Sequence, residues 1–226
     1  MVPLLANPRY EKKFIARGFT VAEVLARIRL HPSAFREAYP PRIVNNIYLD
    51  SPSRRDYHDH VNGTANRSKT RVRWYGQPFE AAQRPSLERK LKRGMVSGKE
   101  AHSIPPCAMN GVCIRSLLET AFDSAVFPPV LRSALQFLEP ALFNRYHRHY
   151  FLSGDGRFRL TVDSNLQFAS LPLDRRSAIA PMSPALTLII EVKFQPELAE
   201  YAEAITNALP FRMTRFSKYV TGIERI

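Results

Sequence analysis

The chain has 226 residues, of which 45% are hydrophobic, and it carries a formal net charge of +13. This size predicts one large domain with a sizeable core, and the positive charge favours an anionic partner such as a phosphate compound, a nucleic acid or an anionic lipid. The two cysteines exclude a disulfide framework, and without a signal sequence or an apolar run of about 18 residues we expect a cytoplasmic protein with no membrane segment of its own.

Strand patterns recur along the chain, at residues 9–15, 43–49, 67–75, 86–92, 146–152, 157–163 and 186–194. Thr20 and Glu23 form the signature of a capping box, which predicts a helix whose apolar stripe is Val21, Val24, Leu25 and Ile28. Further helical patterns lie at residues 114–122, 130–138 and 197–209, and residues 101–140 are typical of a helical insertion. With no internal repeat, we predict a single antiparallel α+β domain over residues 1–226.

Four basic residues alternate along one predicted strand, at Arg67, Lys69, Arg71 and Arg73. Side chains two apart on a strand share a face, so all four charges project from the same side. Stacked like charges are unfavourable unless a negative group faces them, and a bound polyanion would serve. Two alternatives remain at this point, namely a solvated basic face and a nucleic-acid groove in which the adjacent aromatic residues stack on bases.

The other predicted strands alternate in the same way, with charged residues on one face and apolar residues on the opposite face. The charged sets are Glu11 and Lys13, Glu88, Lys90 and Lys92, Arg157, Arg159, Thr161 and Asp163, and Glu191 and Lys193. If the apolar faces pack under helices, a sheet that curls shut would enclose the charges in a polar lumen. Such a lumen offers phosphate-binding bases beside metal-binding acids, and the acids argue against nucleic acid as the partner.

Eight segments in order resemble one family. They are RYEKKF at 9–14, NNIYLDSP at 45–52, KTRVRWYG at 69–76, LERKLKRG at 87–94, RYHRHYF at 145–151, RFRLTVD at 157–163, IIEVKF at 189–194 and RFSKYVTG at 215–222. The chain resembles the VTC domain, the polyphosphate polymerase module of the vacuolar transporter chaperone complex, within the triphosphate tunnel metalloenzyme superfamily. The resemblance implies a closed antiparallel β-barrel tunnel of about eight strands with a polar lumen, surrounded by helices.

The resemblance also implies roles for individual residues. Those that match phosphate-binding positions of the family are Lys13, Lys69, Arg71, Arg73, Lys90, Lys99, Tyr146, Arg148, Arg159, Arg215, Ser217 and Lys218. Within the basic run, Arg71 and Arg73 match the family's phosphate grip, whereas Arg67 and Lys69 lie nearer the strand's start and are expected to steer the anion. The catalytic set is Lys90, Arg71, Arg73, Glu191 and Lys218.

A divalent metal, Mn²⁺ or Mg²⁺, is implied at Glu191, with Glu11, Glu88 and Asp163 as helpers. The first strand has Arg9 where the wider superfamily has its first acid, and this departure fits the VTC branch. An alternative reading of Glu191 is a structural ion pair with a nearby lysine.

The implied function is the synthesis of inorganic polyphosphate from ATP by a metal-dependent phosphotransferase that binds nucleoside triphosphate, triphosphate or polyphosphate. The alternatives are a tripolyphosphate or nucleoside triphosphate phosphohydrolase and a non-catalytic polyphosphate-binding module. No nucleic-acid partner is expected, and any membrane partner would be another protein chain.

Overall fold

The computed structural model describes residues 8–77, 81–82, 84–108, 127–171, 180–181 and 187–226. The predicted helix at 114–122 and Cys113 lie outside these residues. Within the described ranges, no helix is long and apolar enough to cross a bilayer.

The strands are β1 (Tyr10–Arg17), β2 (Arg36–Asp50), β3 (Asn66–Tyr75), β4 (Ala81–Ala82), β5 (Ser86–Arg93), β6 (Val96–Ser103), β7 (Cys107–Ala108), β8 (Glu139–Leu152), β9 (Arg159–Ala169), β10 (Ala180–Pro181), β11 (Thr187–Phe194) and β12 (Arg212–Met213). The helices are α1 (Val21–Arg29), α2 (Arg55–Val61), α3 (Pro129–Leu135), α4 (Ala199–Asn207), which follows a 3₁₀ turn at Pro196–Leu198, and α5 (Lys218–Ile223).

Nine strands form one antiparallel sheet in the order β12-β1-β11-β9-β8-β2-β3-β5-β6, and β10 adds to β9. The predicted α+β class and antiparallel sheet are confirmed, but the main path has nine strands where about eight were expected. The sheet is also not closed by a strand ladder. Its two ends meet at one bridge, where the backbone groups of Arg9 and Ser97 exchange hydrogen bonds of 3.0 and 3.1 Å. β12 pairs with the edge of β1 at Phe14 and Ile15, and β6 forms its bridge to the residue that precedes β1.

The apolar face of the sheet packs under helices, as the alternation predicts. Under α1 and α4 the buried side chains include Phe14, Leu160, Val162, Ile190, Val192 and Phe194, and under α3 they include Ile47, Val72, Trp74, Leu87 and Phe143. The capping box of α1 is present, since Thr20 Oγ1 accepts from the Glu23 amide at 3.2 Å and Glu23 accepts from the Thr20 amide at 2.7 Å. Trp74 is only 1% exposed, so it is unavailable for stacking on bases.

The short helix α5 packs on the opposite face of the sheet, which we call the inner face. Tyr219 packs there against Tyr48, and its hydroxyl donates to Asp50 at 2.5 Å. Gly222 permits the close approach, because a Cβ at this position would lie 2.3 Å from Leu142 Cδ2 and 2.7 Å from Phe168 Cδ1. The helix therefore covers part of the inner face and points its first residue, Lys218, towards the charged strands.

Several elements differ from the sequence prediction. β2 and β8 begin at Arg36 and Glu139, well before the predicted residues 43 and 146, because the start of each strand pairs with the end of the other. Arg157 precedes β9 and contacts the ring of Tyr201 on α4, so it does not share the inner face. The pattern also missed β6, whose residues are mostly polar or small and are held in the sheet by pairing with β5.

Candidate functional site

Thirteen charged side chains converge on the inner face, and together we call them the inner site. The acids are Glu11, Glu88, Asp163 and Glu191, and the bases are Lys13, Lys69, Arg71, Arg73, Lys90, Lys99, Arg148, Lys193 and Lys218. The strands β1, β3, β5, β6, β8, β9 and β11 and the start of α5 supply them. Nine bases against four acids give a formal excess of five positive charges, which favours a polyanion.

Glu191 is surrounded by basic groups from three strands and α5. Its carboxylate oxygens lie 3.1 Å from Lys193 Nζ, 3.5 Å from Lys218 Nζ, 3.6 Å from Arg148 Nη2 and 3.7 Å from Lys13 Nζ. Burial alone would raise the pKa of Glu191, but the attraction of Lys193, Lys218 and Lys13 keeps that pKa well below its usual range. The carboxylate is therefore ionised in the free protein.

Asp163 is completely buried and holds two of these bases in place. It accepts from Arg148 Nε at 2.5 Å and Nη2 at 2.6 Å, and its second oxygen lies 2.5 Å from Lys218 Nζ. Arg148 and Lys218 also lie over the ring of Tyr146, at 5.1 and 4.8 Å from its centroid. Burial opposes the charge on Lys218, yet Asp163 and Glu191 raise the pKa of its ammonium group. These contacts fix two predicted phosphate ligands in position before any anion binds.

Glu88 belongs to a second ion-pair cluster, built on β3, β5 and β6. Its carboxylate lies 2.6 Å from Arg71 Nη2, 3.0 Å from Lys99 Nζ and 3.4 Å from Arg73 Nη1. Arg73 also donates to Asn46 Oδ1 at 2.9 Å and to the hydroxyl of Tyr146 at 3.1 Å. Arg73 and Tyr146 thus link this cluster to the one around Asp163.

Glu11 joins two strands that are not neighbours in the sheet order. Its carboxylate lies 2.6 Å from Lys90 Nζ on β5 and 3.0 Å from Lys13 Nζ on its own strand β1. The inner faces of β1 and β5 must therefore point towards each other across the curled sheet. Burial lowers the pKa of Lys90 to about 8, although Glu11 acts in the opposite direction.

Lys69 differs from the other bases of the inner site, because its amino group contacts a hydroxyl and, among the described residues, no carboxylate. Its Nζ donates to Ser217 Oγ at 2.6 Å. Burial and the like charges of Lys13 and Lys90 lower the pKa of Lys69 well below its usual value. Ser217 is the N-cap of α5, and its Oγ accepts a hydrogen bond from the Val220 amide at 3.2 Å. Its hydroxyl therefore stabilises the helix as well as contacting Lys69.

The remaining predicted residues lie at the margin. Arg159 is exposed at the start of β9 opposite Lys193, Arg215 is exposed just before α5, and the Lys99 side chain is 52% exposed. Lys13 lies within β1, which continues to Arg17. Lys193 was not among the site residues predicted from the sequence, although its alternation with Glu191 had already placed both on one face of the strand.

The pair Asn46 and Asn144 was also missed, and their side chains hydrogen-bond at 2.8 Å beneath Arg73. No local sequence signal distinguishes such a buried amide pair.

The acids suit a cation that shares its coordination sphere with substrate. In the part of the chain that the structure describes, no three His, Cys, Asp or Glu side chains form a ready-made metal cluster. Glu191 and Glu11 both contact Lys13, and Glu191 and Asp163 both contact Lys218, whereas Glu88 lies in the other cluster. Carboxylate oxygens are hard ligands, and Mg²⁺ commonly takes only one or two of them together with substrate phosphates. These residues suit a metal ion that is bound partly by substrate phosphates, and not one that is bound by protein ligands alone.

Comparison with known proteins agrees with this fold. The PH1819 protein of Pyrococcus horikoshii is similar over 96% of this chain and 99% of its own, with 15% identity and a TM-score of 0.55. A candidate adenylate cyclase of Vibrio parahaemolyticus is similar over 94% and 97% of the two chains, with 14% identity and a TM-score of 0.54. At such identities the likeness concerns the fold. No curated protein sequence matches the chain.

A family model gives the more specific result. The model described as VTC domain matches residues 8–226, which is almost the whole chain and includes every residue of the inner site. The chain belongs to the VTC domain family, as the eight sequence segments predicted.

Proposed function

We propose that this chain is a metal-dependent phosphotransferase that synthesises inorganic polyphosphate from a nucleoside triphosphate such as ATP. One observation carries the proposal, namely the formal excess of five positive charges on an inner face that also holds the ionised Glu191. A triphosphate or a growing polyphosphate would neutralise this excess. We further propose that the phosphate chain lies in a tunnel, supported by the Arg9–Ser97 bridge and by the Glu11–Lys90 contact across the curled sheet.

The proposed roles follow from charge and position. Lys13, Arg148 and Lys218 would bind the phosphate nearest Glu191, while Arg71, Arg73 and Lys90 would bind the adjoining phosphates. Arginine stays charged in every environment and can bind phosphate with two parallel hydrogen bonds, whereas lysine acts as a point charge. Glu191, with Glu11 or Asp163 as helper, would hold Mg²⁺ or Mn²⁺. The bound metal ion would neutralise negative charge on the phosphate oxygens.

Phosphoryl transfer depends on placement and charge stabilisation more than on covalent chemistry by the protein. An oxygen of the acceptor attacks the γ-phosphorus, the bond from that phosphorus to the bridging β,γ-oxygen breaks, and the nucleoside diphosphate leaves with the electron pair. The bases of the inner site would stabilise the negative charge that spreads over the equatorial and leaving oxygens. If the acceptor is the end of a polyphosphate, the polymer grows, and if it is water, the same site is a phosphohydrolase.

The decisive experiment is incubation with ATP and Mn²⁺ or Mg²⁺, followed by electrophoresis and staining for polyphosphate. We expect polymer together with ADP. Only orthophosphate and ADP would replace the proposal with a phosphohydrolase. Binding of tripolyphosphate without turnover under any metal would replace it with a binding module.

We expect tripolyphosphate binding to take up protons between about pH 7 and 9. Lys90, with its pKa lowered to about 8, is partly neutral in the free protein in this range, and burial also lowers the pKa of Lys69 well below its usual value. A bound anion raises both pKa values, so binding adds protons, and the apparent affinity falls as the pH rises through the free-state pKa of Lys90. Calorimetric titration in buffers of different ionisation enthalpy measures the uptake directly.

The matched variant for this prediction is Lys90→Arg, because arginine stays charged throughout this pH range. This variant should take up fewer protons on binding than the wild type. Its affinity for tripolyphosphate should also fall less between pH 7 and pH 9. An uptake equal to that of the wild type would show that Lys90 does not titrate on binding.

A further inference from the structure

One end of the inner face carries a cluster of aromatic rings around an arginine, which we call the tyrosine cluster. The guanidinium of Arg42 lies 5.3 Å from the ring centroid of Tyr75, 5.6 Å from that of Tyr39 and 5.9 Å from that of Tyr150. Tyr39 and Tyr150 also pack edge to face, with their centroids 5.9 Å apart. None of the roles assigned to the inner site uses these four residues.

The cluster continues directly from the proposed phosphate site. Tyr75 lies two residues beyond Arg73 on β3, and Tyr150 lies two residues beyond Arg148 on β8, so in each strand the two side chains share a face and their Cα atoms are about 7 Å apart. The hydroxyl of Tyr150 is close enough to Arg148 and Arg73 to interact with them electrostatically. A ligand bound by these arginines would therefore reach the rings with its next chemical group.

The rings remain accessible, although they are large and partly apolar. Tyr39 is 60% exposed and Tyr75 is 46% exposed. Arg42 is exposed too, and within the described residues no carboxylate pairs with it. Pro40 and Pro41 lie between Tyr39 and Arg42 and restrict the backbone there, so the two side chains are presented with little conformational freedom. The exposed rings, together with the guanidinium that lies over them, offer flat surfaces beside the proposed anion site.

We infer that the tyrosine cluster is a binding subsite for the nucleobase of a nucleoside triphosphate whose phosphates occupy the inner site. Bases stack on aromatic rings and on guanidinium planes, and the span from Arg73 to Tyr75 leaves room for a ribose between phosphate and base. The inference rests on the proposed function for the placement of the phosphates. It adds where the base of the nucleotide binds, through contacts that inorganic triphosphate cannot make.

The chemistry of the cluster also sets its selectivity. Its polar groups are phenol hydroxyls and a guanidinium at the rim, without the paired amide donors and acceptors that read a base edge. Stacking is tolerant of base identity because every base has a flat π-face. ATP and GTP should therefore bind with similar affinity.

The test compares the dissociation constants of ATP, GTP and tripolyphosphate by calorimetry in a metal-free, chelator-containing buffer, where transfer does not consume the ligand. We expect Tyr75→Ala to weaken ATP and GTP binding about tenfold, the loss typical of one stacked base, and to change tripolyphosphate binding by less than about twofold. Tyr75→Phe should bind all three ligands like the wild type, since the ring remains. Arg42 is unsuitable for this comparison because removing its charge would weaken every anion.

The control is Tyr201→Ala. Tyr201 is 61% exposed and lies under Arg157 at 5.1 Å, which is the same kind of ring and cation pair placed on α4. This variant should leave all three constants unchanged.

Equal losses for ATP and tripolyphosphate in Tyr75→Ala, or no loss for ATP, would overturn the nucleobase subsite and leave the phosphate site standing. A wild-type protein that binds neither ATP nor tripolyphosphate would overturn the proposed function as well. Thermal unfolding of each variant confirms that the exposed substitutions leave the fold intact.

Discussion

Glu191→Gln should abolish turnover while leaving anion binding intact or stronger. The neutral amide keeps the shape of the side chain but removes the negative charge that is surrounded by Lys193, Lys218, Arg148 and Lys13. The proposed metal loses its principal ligand, and a loss of several kcal/mol of transition-state stabilisation corresponds to about a 10³-fold lower kcat. Tripolyphosphate binding without metal should not weaken, because the excess of positive charge increases. Steady-state kinetics and metal-free calorimetry measure the two effects separately.

The control for this variant is Glu203→Gln, which changes an exposed carboxylate on α4. It should leave both the kcat and the tripolyphosphate affinity unchanged. If Glu191→Gln kept wild-type turnover, Glu191 would be only a structural ion-pair partner. A metal ligand predicts that Glu191→Gln lowers the kcat without weakening tripolyphosphate binding, whereas a purely structural ion-pair partner does not.

Asp163→Asn should destabilise the protein strongly, and added tripolyphosphate should restore part of the loss. Asp163 is fully buried and neutralises Arg148 and Lys218 at distances of 2.5 to 2.6 Å. Removing one partner of a buried ion pair costs about 3–5 kcal/mol, since the other charges stay buried. For a chain of this size, that loss corresponds to a Tm lower by about 6–20 °C. A bound phosphate supplies the missing negative charge, so tripolyphosphate should raise the Tm of the variant more than that of the wild type.

The pH dependence gives a second measure of the same carboxylate. Burial opposes ionisation, but Arg148 and Lys218 hold the pKa of Asp163 below its usual value. A lowered folded-state pKa gives stability that is present above the unfolded pKa of about 3.9 and is lost as the pH falls. The difference in the free energy of unfolding between wild type and Asp163→Asn should therefore shrink in acid. A difference that stays constant from pH 7 to pH 3 would contradict this role, and Glu203→Gln again serves as the neutral control.

The faces of the strands were predictable from the sequence. Strict alternation of charged and apolar residues assigned Glu11, Lys13, Lys90, Asp163 and Glu191 to one face, and the structure places all five there. The face on which a side chain lies depends only on the alternation of side chains along a strand, which repeats every two residues. The capping box of α1 was equally local, since its two hydrogen bonds join residues three apart.

The elements that the sequence pattern missed are those whose stability comes from distant partners. β6 is rich in small polar residues and is held by pairing with β5, and α5 is a six-residue helix stabilised by packing on the inner face. Short helices are marginal in isolation, so no local signal marks them strongly. The position of Lys218 against Asp163 and Glu191 follows from that packing.

The sequence by itself determined which side chains share a face, the family of the chain and the excess of positive charge. Only the tertiary structure decided which polar side chains of different strands meet, because many of those contacts join residues far apart along the chain. Lys90 and Glu11 are 79 positions apart, and Lys69 and Ser217 are 148 positions apart. The curl of the sheet brings these strands face to face, and curvature results from the summed twist of many strands. By contrast, the register of the neighbouring strands β3, β2 and β8 places Tyr39, Tyr75 and Tyr150 around Arg42, a cluster that no single segment encodes.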